Sequence, residues 1–326
     1  MSSALVFDLA LCGLLLGAAL AAVVGRNLFG SIVFFIVYGI LVAIAWVRLE
    51  SVNVALAEAA IGAGLTGALL LGTWGRLRKG RAYDLPGQPD DPRDPLPAIL
   101  HRRSTGLLCL ALTGGLAWAI LSLPEAAPGL IPLVQANLET TGVENAVTAV
   151  LLGFRAFDTL LESIIIAVAL VAVWALTPKG FWGAAPGLRQ RVRPDGVLAM
   201  FGRLLPPTGL LIAVYLVWAG STLPGGAFQA GTVLGAVLLL TAMAGLGEPL
   251  AVTDPRLRWA LVAGPLVFLV IGVVGAFFGS FLGLPPAWSK TLIVLIEVAL
   301  TGSIAVTLAY MVMGVPRERL GGDRRE

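Results

Sequence analysis

Nine stretches of about 20 mostly apolar residues run through this chain, near 4–24, 29–47, 52–75, 105–123, 155–176, 197–219, 229–246, 257–282 and 291–313. A helix of that length crosses the roughly 30 Å hydrocarbon core of a bilayer. Lipid offers no hydrogen bonds to the backbone, so such stretches must close their own bonds as helices. The expected fold is an all-α, polytopic transmembrane helix bundle of about nine spans. Only 13% of the 326 residues are charged, about half the share in an ordinary soluble domain. Lipid must therefore solvate most of the outside. The 40 glycines suit close helix packing in a membrane. The start, MSSALVFDLALC, lacks the basic leader of a secretory signal, so the first run is expected to be a retained helix.

The basic residues sit between the apolar runs, where topology rather than nucleic acid explains them. Arg26, Arg76, Arg78, Lys79, Arg81, Arg102, Arg103, Lys179, Arg189, Arg191, Arg193, Arg256, Arg258, Arg317, Arg319, Arg324 and Arg325 all fall on one side of a nine-span chain. That side should be the cytoplasm, with the N-terminus outside and the C-terminus inside. Arg48 and Lys290 are the main basic residues of the opposite loops. No nucleic-acid partner is expected.

Metal or cofactor chemistry finds little support. Cys12 and Cys109 lie inside apolar runs, where buried small hydrophobes are expected. The single histidine, His101, stands beside Arg102 and Arg103. No metal-ligand spacing and no nucleophile–base pair is visible. No metal, cofactor or catalytic group is expected.

Acids inside spans are costly and point to function. Glu58 stands about two turns into the third span, followed by small residues that let a neighbouring helix approach. Arg155, Asp158 and Glu162 share one helix face at i, i+3 and i+7. They read either as a proton-holding group or as an interfacial salt bridge. A single helix from Asn145 to Leu176 would be about 47 Å long, too long for one straight span. Either it tilts strongly, or residues 145–156 form a separate segment near the outer surface. Asp8 lies early in the first span, and Glu297 about two turns into the last, with Lys290 its nearest local cation. Both have ion-path and structural readings. The Pro224–Gly231 stretch, PGGAFQAG, reads as a compact helical hairpin, not a phosphate loop.

These stretches resemble the small membrane subunits of Mrp-type cation/proton antiporters and related membrane-bound hydrogenases. ALAEAAIGAGLTGALLL looks like the D-type hydrogenase family, with Ala57 in place of the usual Thr of a Thr-Glu-Ala motif, Asn53 near the usual Asp, and Glu58 kept. The stretch with Asn145, Val147, Thr148, Arg155, Asp158, Thr159 and Glu162 is similar to the E-type hydrogenase family. PGGAF resembles the Pro-Gly-Gly-Gly-Phe of the Mrp B family, with Ala227 replacing a Gly. The resemblance implies a D-like block at 1–80, a linker at 81–104, an E-like block at 105–177, a linker at 178–196, a B-like block at 197–315 and a polar tail at 316–326.

The resemblance further implies a membrane subunit of a multisubunit antiporter or of an energy-converting respiratory or hydrogenase-type complex. Its setting would be the prokaryotic plasma (inner) membrane. Its partners would be large antiporter-like membrane subunits, other small Mrp-type subunits, the lipid bilayer and a translocated cation or proton. Glu58, Asp158, Glu162, Arg155, Glu297 and Asp8 are the candidate path residues. A structural assembly subunit and a stand-alone permease are the alternatives.

Overall fold

The computed structural model describes residues 3–25, 27–81, 95–123, 129–177, 180–186 and 196–316. The linker at 82–94, the stretch 187–195, the tail from 317 and the charges Arg26 and Lys179 lie outside the described residues. Among the described residues the secondary structure is helical, with one isolated bridge between Pro186 and Pro316.

The helices are α1 (Ser3–Val24), α2 (Leu28–Arg48), α3 (Val52–Ala57), α4 (Thr66–Arg81), α5 (Pro95–Leu121), α6 (Ile131–Thr141), α7 (Ala146–Ala149), α8 (Ala156–Ala175), α9 (Val197–Gly220), α10 (Ala227–Met243), α11 (Pro255–Ala276) and α12 (Pro286–Met313). A π-helical segment, Glu58–Leu65, joins α3 to α4, and another, Val150–Phe154, follows α7. Eight helices among the described residues are long and apolar enough to cross a membrane. The ninth expected span is α10, with 17 residues and a length of about 26 Å.

The chain divides into two compact units, one of Met1–Trp74 with Val134–Glu326 and one of Gly75–Leu133. The smaller unit carries α5, whose apolar stretch Arg103–Leu121 is long enough to span a bilayer. The larger unit is organised around α12. Of its most apolar window 61% is buried, against 11% for α1. Small residues let its neighbours approach the backbone directly. A Cβ at Gly264 of α11 would sit 2.8 Å from Leu300 Cα, and one at Gly235 of α10 would sit 3.0 Å from the Ala305 carbonyl oxygen. Ile293, Ile296, Leu300 and Ile304 of α12 then form the core with Phe268, Leu152 and Leu160.

Helix starts are fixed by local chemistry. Asn27 caps α2, its Oδ1 accepting from Phe29 N at 3.0 Å. Asp254 caps α11, accepting from Arg256 N at 2.8 Å, with Pro255 at the first helical position. The long 145–176 stretch resolves as two segments, as the length argument required of a chain that does not tilt. The break is Arg155, whose backbone leaves the helical region at φ −128° and ψ 38°. One expectation is corrected: Cys12 and Cys109 are exposed on the chain's own surface, not buried. An apolar face turned to lipid needs no protein cover, so an apolar run does not by itself place a thiol inside.

Candidate functional site

At the turn between α9 and α10, residues from three stretches far apart in sequence meet. Its backbone groups are left over at the helix ends and must find partners away from water. Asn53, before the first π-helical segment, accepts from Gly225 N through Oδ1 at 2.9 Å. Its own carbonyl accepts from Gln229 Nε2 at 3.2 Å. Asn145 caps α7 through Oδ1, accepting from Val147 N at 3.0 Å. Its Nδ2 donates to the carbonyls of Gly220 at 3.0 Å and Leu223 at 2.8 Å. Thr148 donates to the Gly220 carbonyl at 2.5 Å. The N–H groups of Glu144 and Asn145 donate to the Ser221 carbonyl at 2.9 and 3.1 Å. Irregular backbone within a membrane protein is tolerated only where protein satisfies it in this way.

Glycine makes the turn possible. Gly226 has φ +126°, a region L side chains rarely enter. A Cβ on Gly220 would lie 2.9 Å from Gly226 Cα, so the two arms of the turn touch backbone to backbone.

Glu297 lies against this turn from the middle of α12. It is 4% exposed, and its Oε1 is 3.3 Å from the position a Cβ on Gly226 would take. Its Oε2 has no hydrogen-bond partner. Among the described residues it is the one buried carboxylate oxygen without one. Beside it opens a cavity of about 270 Å³. Asn53, Thr148, Glu162, Gly226, Gln229 and Glu297 supply its polar wall, and both π-helical segments contribute to its lining through Ile61, Leu151 and Leu152. Glu162, on α8, is exposed and stands at the rim. A cavity of this size has room for several water molecules, and its wall offers them polar contacts. The arrangement is two carboxyl groups, one buried and one exposed, sharing a space that water can enter.

The other expected site residues lie elsewhere. Glu58 is half-buried, does not line this cavity, and lays its carboxyl over the bare Cα of Gly62. Arg155 and Asp158 form an ion pair at 2.5 Å, with both side chains largely exposed. Asp8 pairs with Arg48 at 2.8 Å where the start of α1 meets the end of α2, and the two line a different cavity. Lys290 lines a third, apolar groove with Trp218 and Val294 and does not face Glu297's cavity. Sequence reasoning missed Gln229 altogether. A Gln at the start of an apolar run was its only signal.

The MbhD family, described as the D component of MBH, matches residues 13–79. The family described as a domain related to the MnhB subunit of Na+/H+ antiporter matches residues 197–317. The chain thus carries an MbhD-like segment and, separately, a stretch similar to the MnhB-related domain. An uncharacterized protein of Methanocaldococcus jannaschii is 28% identical over 154 residues, 43% of this chain and 59% of that protein. A probable K+/H+ antiporter A/B protein of Rhizobium meliloti is 27% identical over 208 residues, 55% of this chain and 20% of that protein. The chain thus spans less than two thirds of either curated relative. Its fold is similar to a chain of the Mrp complex from a Dietzia species, with TM-score 0.68 and 23% identity over 96% of this chain and 35% of that one. It is also similar to a chain of the archaeal membrane-bound sulfane sulfur reductase, with TM-score 0.51 and 22% identity over 65% of this chain and 98% of that one.

Proposed function

We propose that this chain is a membrane subunit of a multisubunit cation/proton antiporter, or of the antiporter-like module of an energy-converting respiratory or hydrogenase-type complex. It sits in a prokaryotic plasma membrane beside large antiporter-like subunits and other small Mrp-type subunits. The ion or proton path uses its carboxylates. One observation carries this reading: Glu297, deep in the bundle, has an unpartnered carboxylate oxygen and lines a cavity together with Glu162. A buried acid without a partner is costly, and a chain keeps that cost where ions or protons are handled. Glu58, on a π-helical segment, is a second carboxylate of the path; such segments recur at functional sites.

The reading is tested in inverted membrane vesicles holding the assembled complex. Glu58→Gln and Glu297→Gln are each expected to abolish cation-dependent proton exchange while the complex still assembles. The exposed Arg155–Asp158 pair favours a second role for the chain, at an interface with a companion protein of the complex. If both glutamine variants exchange at the full rate, the chain is an assembly subunit that seals and scaffolds a pump whose ions move elsewhere.

A further inference from the structure

α9 and α12 both pack on α10 and leave a groove of about 530 Å³ between them. It opens on the surface of the larger unit, where Leu210, Val214 and Val298 of its lining are exposed. On α12 the lining runs from Lys290 to Gly302, a rise of about 18 Å. On α9 it begins at Leu210 and runs to the helix end, although the helix itself starts at Val197. The groove thus takes only the half of each helix nearest Thr222 and Lys290. Half of the hydrocarbon core is about 15 Å thick, so the groove has the depth of one leaflet. A companion transmembrane helix would need a seat along the full core, about 30 Å. Apart from Thr301, whose hydroxyl already donates to the Glu297 carbonyl at 2.7 Å, the polar side chains of the lining gather at one end. Lys290 is exposed there, and among the described residues it joins no ion pair. The Thr222 hydroxyl is bonded to the Ala219 carbonyl at 3.4 Å, a long contact that a better acceptor can replace. Trp218, one turn before Thr222, is exposed, as an aromatic anchor at the membrane–water interface would be. Among the described residues no carboxylate lines the groove, so a cationic headgroup amine has no partner in it.

We propose that this groove is a binding site for one anionic phospholipid. The headgroup phosphate sits at the Lys290 ammonium, within reach of the Thr222 hydroxyl, and one acyl chain lies along Leu210, Val214, Val294 and Val298. The tail contacts alone select nothing, because bulk lipid is as apolar as the groove. Selection comes from the lysine, a point charge with three donors that suits a phosphate, and from the missing carboxylate, which disfavours a zwitterionic headgroup. The lipid fills the gap that α9 and α12 leave and so ties the two helices together at the end that carries the α9–α10 turn. The site lies apart from the carboxylates of the larger unit and stands whether or not they carry ions.

The test places the full chain, in its assembled complex, in phosphatidylcholine vesicles. Tail-brominated phosphatidylglycerol or tail-brominated phosphatidylcholine is added at the same low mole fraction. The signal is the quenching of the fluorescence that Trp218→Phe removes. Phosphatidylglycerol is expected to quench it at a lower mole fraction than phosphatidylcholine does. Lys290→Gln is expected to raise the phosphatidylglycerol needed about fivefold, the scale of one lysine at an anionic surface, and Lys290→Arg to restore it. A Cβ at Gly302 meets nothing within 4 Å, so Gly302→Leu can fill the deep end without a clash. That variant is expected to lower the phosphatidylglycerol signal to the phosphatidylcholine level. Equal quenching by the two lipids in the parent means that bulk lipid wets the groove, and overturns the site. No quenching by either means that a companion helix covers the groove, and overturns it as well. An unchanged phosphatidylglycerol requirement in Lys290→Gln overturns the headgroup assignment.

Discussion

Gly226 shows how a single position controls the site. Its φ of +126° with ψ near 180° belongs to a region that is essentially glycine's own. A methyl group there would also press toward Glu297 Oε1. Gly226→Ala is expected to cost roughly 1–3 kcal/mol, seen as a lower midpoint in thermal unfolding of the purified protein followed by helical circular dichroism. Gly247→Ala is the control, because a Cβ there meets nothing within 4 Å. A Gly226→Ala midpoint equal to that control would show that the turn tolerates a side chain. Much at this level was legible in advance. Glu297 stood out as an acid in an apolar run, and PGGAF as a turn. The bare Oε2 was not legible, because a hydrogen bond and its absence look the same in a string of letters. The partners that might have satisfied it come from segments 70 and more positions away, as the bonds from Asn145 to Gly220 and from Asn53 to Gly225 illustrate.

The short α7 segment works as a strut. Asn145 starts it and at the same time ties it to the α9–α10 turn. Asn145→Ala removes a helix cap worth about 1 kcal/mol, leaves the Leu223 carbonyl without this donor and takes one of two donors from the Gly220 carbonyl. A total loss of roughly 2–3 kcal/mol is expected in the same unfolding measurement. Thr148 still reaches the Gly220 carbonyl, so the fold should survive. A stability equal to the parent would mean that α7 is held by its apolar contacts alone. The break between α7 and α8 was foreseeable, because the stretch is too long for one straight crossing. The two π-helical segments were not. An extra residue in a helical turn depends on what packs against it, and here Ala63 of the first segment lies 3.1 Å from where a Cβ on Gly39 of α2 would stand.

Across the larger unit, the loops sort by end. The stretch 180–186 after α8 meets the α10–α11 loop through Val252 N donating to the Ala184 carbonyl at 3.2 Å and the Thr253 hydroxyl donating to the Gly183 carbonyl at 3.1 Å. It meets the end of α12 through the Pro186–Pro316 bridge. Leu170, Trp174, Leu257 and Tyr310 pack beneath this junction. The α9–α10 turn instead contacts the segment before α7, while Ser289 near the start of α12 donates to the Thr141 carbonyl at 2.6 Å. Three loops that the charge pattern assigned to one side therefore gather at one end of the bundle, with Arg256 and Arg258 beside them. Hydropathy was enough to read the helical bundle, since the bilayer imposes one length on every span, and the charge pattern expects this end to be the cytoplasmic one. The nine-span reading expects the two ends of the chain on opposite faces. A cysteine introduced at Ser3 is then expected to react with a membrane-impermeant maleimide in intact cells, in a background with Cys12 and Cys109 replaced by alanine. A cysteine at Arg325 is expected to react only in inverted vesicles. Labelling of both from the same face would mean that α10, the shortest of the nine expected spans, does not complete its crossing, and that the basic end of the bundle does not define the cytoplasmic side.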